Sequence, residues 1–198
     1  MATHIFVGGS FVKQNIMSVF ITEIKANTSL PIVIFPGDIT QISDNADALL
    51  FLSLISGRNA NYLIGKHVES ISKLRKTSLE VIPTGYILIE NGKQTSVERV
   101  TQTKPIPRKN IQNIIDTAKA GELLGMKLMY LEAGSGALEP IPLDIIKAVK
   151  EELNIPLIVG GGIKNKKQLE NAYQSGADLV VIGTAFEEDE SFFNELKK

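Results

Sequence analysis

The sequence contains no cysteine. Disulfides, zinc–thiolate sites, iron–sulfur clusters and thiol catalysis are therefore excluded, and cysteine usage leaves the redox compartment unmarked. Histidine is scarce, with two residues, so a metal ion would have to be held by oxygen ligands or by that pair. An excess of charge is missing too: 21 Lys and Arg stand against 22 Asp and Glu, a formal net charge of -1. No basic run exceeds "KNKK", residues 164–167, which leaves no electrostatic footprint for nucleic acid. Long hydrophobic runs are also lacking. The longest, "ADALLFLSLIS", falls far short of the roughly 20 residues that span a bilayer. The first residues show no charged segment running into an apolar one, so the expectation is a cytoplasmic protein without a transmembrane segment.

What is present is the composition of one soluble globular domain over residues 1–198, with 43% hydrophobic and 22% charged residues. Seven short apolar runs read as strands: "HIFVG", "PIVIF", "ALLFLS", "LEVIP", "KLMYLE", "PLIVG" and "DLVVIG". They are apolar on both faces, as in a buried parallel sheet. Between most of them lie helix-length stretches, 11–26, 59–76, 109–124, 143–153 and 166–175. Ile111, Ile114, Ile115 and Ala118 repeat at helical spacing, as do Ile145, Ile146, Val149 and Leu153, so each helix has one stripe to lay on a sheet. Asn165, with Gln168 three residues on, reads as a helix start, and Gly176 as the glycine just past its end. The β-α-β-α alternation fits either an open doubly wound sheet or a closed (β/α)8 barrel. Glycine placement separates the two. The first strand ends in "VGGS" without dinucleotide spacing, and the heavier glycine signal follows the last two strands, where phosphate-binding barrels use theirs. The expected fold class is thus α/β, TIM-barrel-like, with one βα unit fewer visible than the eight required.

The glycines suggest chemistry. Gly160, Gly161 and Gly162 expose backbone N–H groups where a strand hands over to a helix, and Gly183 with Thr184 forms a second corner on the neighbouring strand. Two adjacent corners can clasp one phosphate, although any single corner is equally a plain turn. In "YLEAGSG", residues 130–136, alternation places Leu128, Tyr130 and Glu132 on one face and Met129 and Leu131 on the other. A carboxylate at the inward C-terminal end of a barrel strand is expensive unless something polar, such as a substrate hydroxyl, meets it. Gly134, Ser135 and Gly136 follow at once, as in a loop that closes on a ligand. "FPGD", ending at Asp38, reads as an ordinary turn, His4 and His67 as structural, and Phe186, Phe192 and Phe193 as the packing face of a last helix.

Taken together, "FVGGS", "FLSLISGRN", "YLIGKHV", "IPTGYILIENGK", "YLEAGSG", "IVGGGIK" and "GADLVVIGTAFE" resemble the geranylgeranylglyceryl phosphate synthase family across nearly the whole chain, closest to its Bacteroidetes and archaeal branch. The resemblance implies a barrel prenyltransferase that joins sn-glycerol 1-phosphate to geranylgeranyl diphosphate with Mg2+, in ether-lipid synthesis. By position it implies that Tyr130, Leu131, Glu132, Ala133, Gly134, Ser135 and Gly136 contact glycerol phosphate. It further implies that Gly160, Gly161, Gly162, Gly183 and Thr184 hold the phosphate, that Glu132 is the catalytic residue, and that Ser10 belongs to the magnesium–diphosphate site. A homo-oligomer follows from the same resemblance, as does transient membrane contact for the prenyl product. Two departures accompany it. Relatives often carry Gly-Asn where this chain has Gly183-Thr184, and they carry a first strand with a metal-binding aspartate that is expected to be missing here. The second departure leaves a rival open, a truncated or non-catalytic phosphate-binding barrel. A sugar-phosphate isomerase or lyase would need an inward lysine or a second carboxylate, and none is obvious at the strand ends.

Overall fold

The computed structural model describes residues 2–9, 16–189 and 191–192. Ser10, Phe193 and the beginning of the first expected helix lie outside the described residues. Among the described residues seven strands alternate with helices along the chain. Two compact units contain them, one made of Ala2–Ser53 and Ala60–Pro83, the other of Leu54–Asn59 and Thr84–Lys198.

The N-terminal unit holds β1 (Ile5–Gly9), α1 (Met17–Asn27), β2 (Ile32–Pro36), nearly all of β3 (Ala48–Leu54) and α2 (Lys66–Leu74). β1 runs parallel to β2 from Ile5↔Ile32 to Gly9↔Pro36, and β2 runs parallel to β3 through Val33↔Ala48. Its core gathers Val7, Met17, Ile21, Ile32, Ile34, Ala46, Leu49 and Leu79, so α1 buries Met17 and Ile21 against strand residues that alternate inward. Asp38 does close a turn. Its carboxylate caps a 3-10 turn, Ile39–Gln41, by accepting from the Thr40 amide at 2.9 Å. A π-helical turn at Asn61–Gly65 precedes α2, which starts later than the sequence pattern suggests.

The C-terminal unit carries β4 (Glu80–Leu88) from Thr84 onward, α3 (Ser96–Thr101), α4 (Ile111–Leu123), β5 (Leu128–Glu132), α5 (Leu143–Glu152), β6 (Leu157–Gly160), α6 (Lys166–Gln174), β7 (Leu179–Val181) and α7 (Thr184–Glu188). The pairs β4–β5, β5–β6 and β6–β7 are parallel. Expected helix bounds agree with α4, α5 and α6 to within a residue or two. The structure departs from the expected elements at two places. Pro83 was expected to end its strand, yet β4 continues through Leu88. The short helix α3 was not expected, although Thr95 and Glu98 form a reciprocal capping box at its start, with Thr95 Oγ1 accepting from the Glu98 amide at 3.1 Å. At α6 the Asn165 side chain accepts from the Gln168 amide at 2.9 Å, while Gln168 reaches back to the Lys164 amide at 2.7 Å. Gly176 follows that helix with φ +107°, as a C′ glycine should.

Both units use one device at the starts of their strands. In the N-terminal unit Asp47, just before β3, accepts from the Ile32 amide at 2.7 Å and from Lys25, in the last turn of α1, at 2.8 Å. In the C-terminal unit Asp178, just before β7, accepts from the Leu157 amide at 2.7 Å and from Lys150, in the last turn of α5, at 2.6 Å. The hydrogen bonds hold both carboxyls below the usual range: at Asp47 the Ile32 amide dominates, and at Asp178 Lys150 and the Leu157 amide outweigh a burial that works against the charge.

His67 is structural, as expected: it is buried in α2, edge-on to Phe51 with ring centroids 4.2 Å apart, and its Nε2 lies 3.4 Å from Ser53 Oγ. Burial pushes its pKa below the ordinary value of 6.5. The folded protein therefore takes up this proton less readily than the unfolded chain. The neutral imidazole's share of stability is present above about pH 6.5 and is lost as pH falls toward the folded value. In chemical denaturation, the stability gap between wild type and His67→Gln should narrow on going from about pH 7.5 to about pH 5, because only wild type pays for burying an imidazolium.

Candidate active site

The site grows from β5. Register sets Tyr86 of β4 beside Tyr130 of β5, and Glu132 of β5 beside Gly160 of β6. Tyr130 and Glu132 share one face by alternation, while Met129 and Leu131 bury their side chains on the other. Of the expected contacts, Leu131 and Ala133 therefore enter through backbone: the Ala133 amide donates to the Gly160 carbonyl at 3.0 Å, and its carbonyl accepts from Asn91 Nδ2.

Glu132 is only 7% exposed. Its Oε1 accepts from the Gly134 amide at 2.5 Å, and the Tyr130 hydroxyl donates to the carboxylate. Burial outweighs both hydrogen bonds and pushes the carboxyl pKa up to about 6. Burial and the Glu132 charge in turn push the Tyr130 and Tyr86 phenols well above their ordinary value, so both remain neutral donors. The rings of Tyr86 and Tyr130 are tilted against one another at 5.4 Å.

Two of the three glycines at the end of β6, Gly160 and Gly161, answer to these side chains. A Cβ on Gly160 would lie 2.3 Å from the Tyr130 hydroxyl oxygen, and one on Gly161 would lie 2.6 Å from Glu132 Oε1. Gly161 also has φ +83°, where a side chain is strained whatever the space. Protein atoms thus already require glycine here, a reason the sequence pattern, read as a phosphate corner, did not contain. Gly183 differs: among the described residues nothing lies within 4 Å of where its Cβ would be. Its backbone opens α7, whose first amides have no acceptor within the helix.

The structure brings the expected residues together. β6 and β7 pair through Gly160↔Val181, which sets the two glycine corners side by side. Thr184 Oγ1 accepts from the Gly136 amide at 3.1 Å and lies 3.3 Å from Ser135 Oγ, so this hydroxyl latches the loop after β5. Ser10 falls outside the described residues. Phe192 is buried and Phe186 is 40% exposed, so the described part of the expected aromatic face is only partly packed. Sequence reasoning missed Asn91, Thr95 and Arg108, which brace this loop from outside the glycine motifs; the T-x-x-E pattern at Thr95 was the one legible signal among them.

All of residues 1–198 match the PcrB family. The chain belongs to the PcrB family. It is 57% identical over 193 residues to the geranylgeranylglyceryl phosphate synthase of Flavobacterium johnsoniae, covering 98% of this chain and 79% of that protein. It is 41% identical to the synthase of that name from Pyrococcus horikoshii, covering 98% and 76%. Among solved structures it superposes with a TM-score of 0.91, at 35% identity, on (S)-3-O-geranylgeranylglyceryl phosphate synthase from Thermoplasma acidophilum in complex with sn-glycerol-1-phosphate, covering 98% of this chain and 78% of that one. The PcrB-family chain accordingly has the α/β, TIM-barrel-like fold anticipated from its sequence. Among the described residues no helix is long and apolar enough to cross a membrane.

Replacing Gly161 with alanine should cost about 1–3 kcal/mol of stability through positive φ and the clash with the Glu132 carboxylate, read as a lower midpoint in urea. It should also displace Glu132 from the Gly134 amide.

Proposed function

We propose that this PcrB-family protein is a prenyltransferase that joins sn-glycerol 1-phosphate to geranylgeranyl diphosphate, forming geranylgeranylglyceryl phosphate for ether-lipid synthesis. The observation that carries the reading is the buried Glu132, held by the Gly134 amide and Tyr130 beside the open Gly183–Thr184 corner. The named activity of relatives up to 57% identical supports it. So does the glycerol phosphate bound by the Thermoplasma acidophilum protein.

In this scheme the corner amides at Gly160–Gly162 and Gly183–Thr184 clamp the phosphate, and Glu132 accepts a hydrogen bond from the reacting hydroxyl, so both ends of the small substrate are oriented. As the C–O bond to diphosphate breaks, the prenyl carbon gains carbocation character and the hydroxyl oxygen attacks it. Glu132 takes the released proton, although such an electrophile needs only a weak base. Magnesium is proposed to arrive with the diphosphate. Among the described residues no three of His, Asp and Glu converge to hold it, and Ser10 lies outside them. The reading carries with it a cytoplasmic homo-oligomer whose product meets a membrane transiently.

Incubation with labelled geranylgeranyl diphosphate, sn-glycerol 1-phosphate and Mg2+ should yield the prenyl ether and free diphosphate. A protein that binds glycerol phosphate and yields neither is the non-catalytic barrel instead. Glu132→Gln should lower turnover by about two orders of magnitude, within the range of general acid–base catalysis. The wild-type rate at low glycerol phosphate should fall below about pH 6, as the carboxylate takes up its proton. Stability should move the other way. The folded pKa lies above the unfolded one, so ionising Glu132 costs folding free energy between about pH 4.5 and 6, on the order of 2 kcal/mol in full. The glutamine variant should lack that slope and be no less stable at neutral pH.

Gly183→Ala separates a ligand corner from a plain turn. Its φ is -115° and no described residue lies within 4 Å of where its Cβ would be, so folding should change by less than about 1 kcal/mol. The KM for glycerol 1-phosphate should rise while the KM for the prenyl diphosphate holds. An unchanged KM would remove this corner from the phosphate site.

A further inference from the structure

Arg108 lies between α3 and α4, outside every motif that carries the family resemblance. Its guanidinium reaches across two loops. Nε donates to the Glu90 carbonyl just after β4, Nη1 donates to the Glu139 carboxylate at 3.2 Å, and Nη2 donates to the Glu139 carbonyl at 3.1 Å. Glu139 is also the residue that presses on the glycine corner: a Cβ on Gly162 would come within 2.6 Å of its carbonyl carbon and oxygen. One side chain therefore ties the ends of two neighbouring mouth segments and sets how closely the loop after β5 approaches Gly162.

Packing anchors part of the loop, since Ala137 and Ile141 are buried. Arg108 and Glu139 meet where Pro140, Ile141 and Pro142 line a pocket of about 330 Å³, with Ile163 and Ala172 also in its wall. Lys164 Nζ adds a weaker tether on this side, a 3.4 Å bond to the Leu138 carbonyl. Nor is the ion pair itself the main force, since the Glu139 side chain is 75% exposed and such pairs contribute little. The planar fork is what matters: it meets two backbone carbonyls and a carboxylate in one fixed geometry, which a lysine ammonium cannot reproduce.

The geometry points to Arg108 as a positioning residue that holds Glu139 against Gly162 and thereby fixes the Gly134–Pro140 loop over the phosphate corner. This inference rests on the proposed site for glycerol phosphate, and its test is direct binding as well as turnover. Calorimetric titration of wild type, Arg108→Ala and Arg108→Lys with sn-glycerol 1-phosphate should show affinity lowered about tenfold in the alanine variant and restored only in part by lysine, as expected when a bidentate contact is lost. The KM for geranylgeranyl diphosphate should stay within about twofold in both variants, a split that general loosening of the fold would not give. Thermal melts identify any variant that fails to fold, in which case the lysine variant alone decides. Unchanged glycerol phosphate affinity, or an equal loss for both substrates, overturns the role of Arg108. Wild-type protein that binds glycerol phosphate without turnover overturns the synthase reading and leaves the Arg108 comparison intact. Wild-type protein that binds none overturns both.

Discussion

A carboxylate taken out of water is the costliest group in this structure, and much of the mouth is arranged around it. Glu132 ends β5 almost wholly buried, where an ionised side chain without partners would cost several kcal/mol. It is kept by the chain turning back at Gly134 to offer an amide and by Tyr130 two residues earlier. Those two contacts propagate. The close approach of Tyr130 and Glu132 to β6 demands bare backbone at Gly160 and Gly161. The turn at Gly134 throws the following loop across the strand ends, where Asn91, Thr184 and Arg108 each take hold of it.

Much of this was legible in the residues themselves. Strand runs apolar on both faces and helices with a single apolar stripe announced the α/β alternation, and the bounds of α4, α5 and α6 followed from spacing and caps. Alternation along "LMYLE" also sufficed to put Tyr130 and Glu132 on one face. Other features rest on contacts between residues far apart in sequence. Nothing local to "GGG" says that its neighbours are a phenol and a carboxylate from another strand. The reach of Arg108 to Glu139 spans 31 residues and has no periodic signature. The extension of β4 past Pro83 was hidden because proline weakens a strand reading locally, whereas pairing with β5 from Thr84 to Leu88 sustains it. Thr184 shows the same limit in another form: its departure from asparagine was visible, its hydrogen bond to the Gly136 amide was not.

The site divides its labour between side chains and backbone. Acid–base character resides in one side chain, tuned by burial. In the proposed scheme anion recognition falls to amides, whose direction is set by strand pairing and by the start of a helix. Such a division would leave the corner's amide presented whichever side chain stands at position 184.

The paired aspartates at the opposite end of the strands act as index pins. Asp178 fixes the first residue of β6, and the alternation of a strand transmits that choice without loss to Gly160 at its other end. A slip of one residue would turn every β6 side chain to the wrong face and could bring Val159 into the place beside the Tyr130 hydroxyl that Gly160 occupies. Alignment of the chemistry at one rim is thus decided by a salt-linked carboxylate at the other, well away from anything a substrate touches.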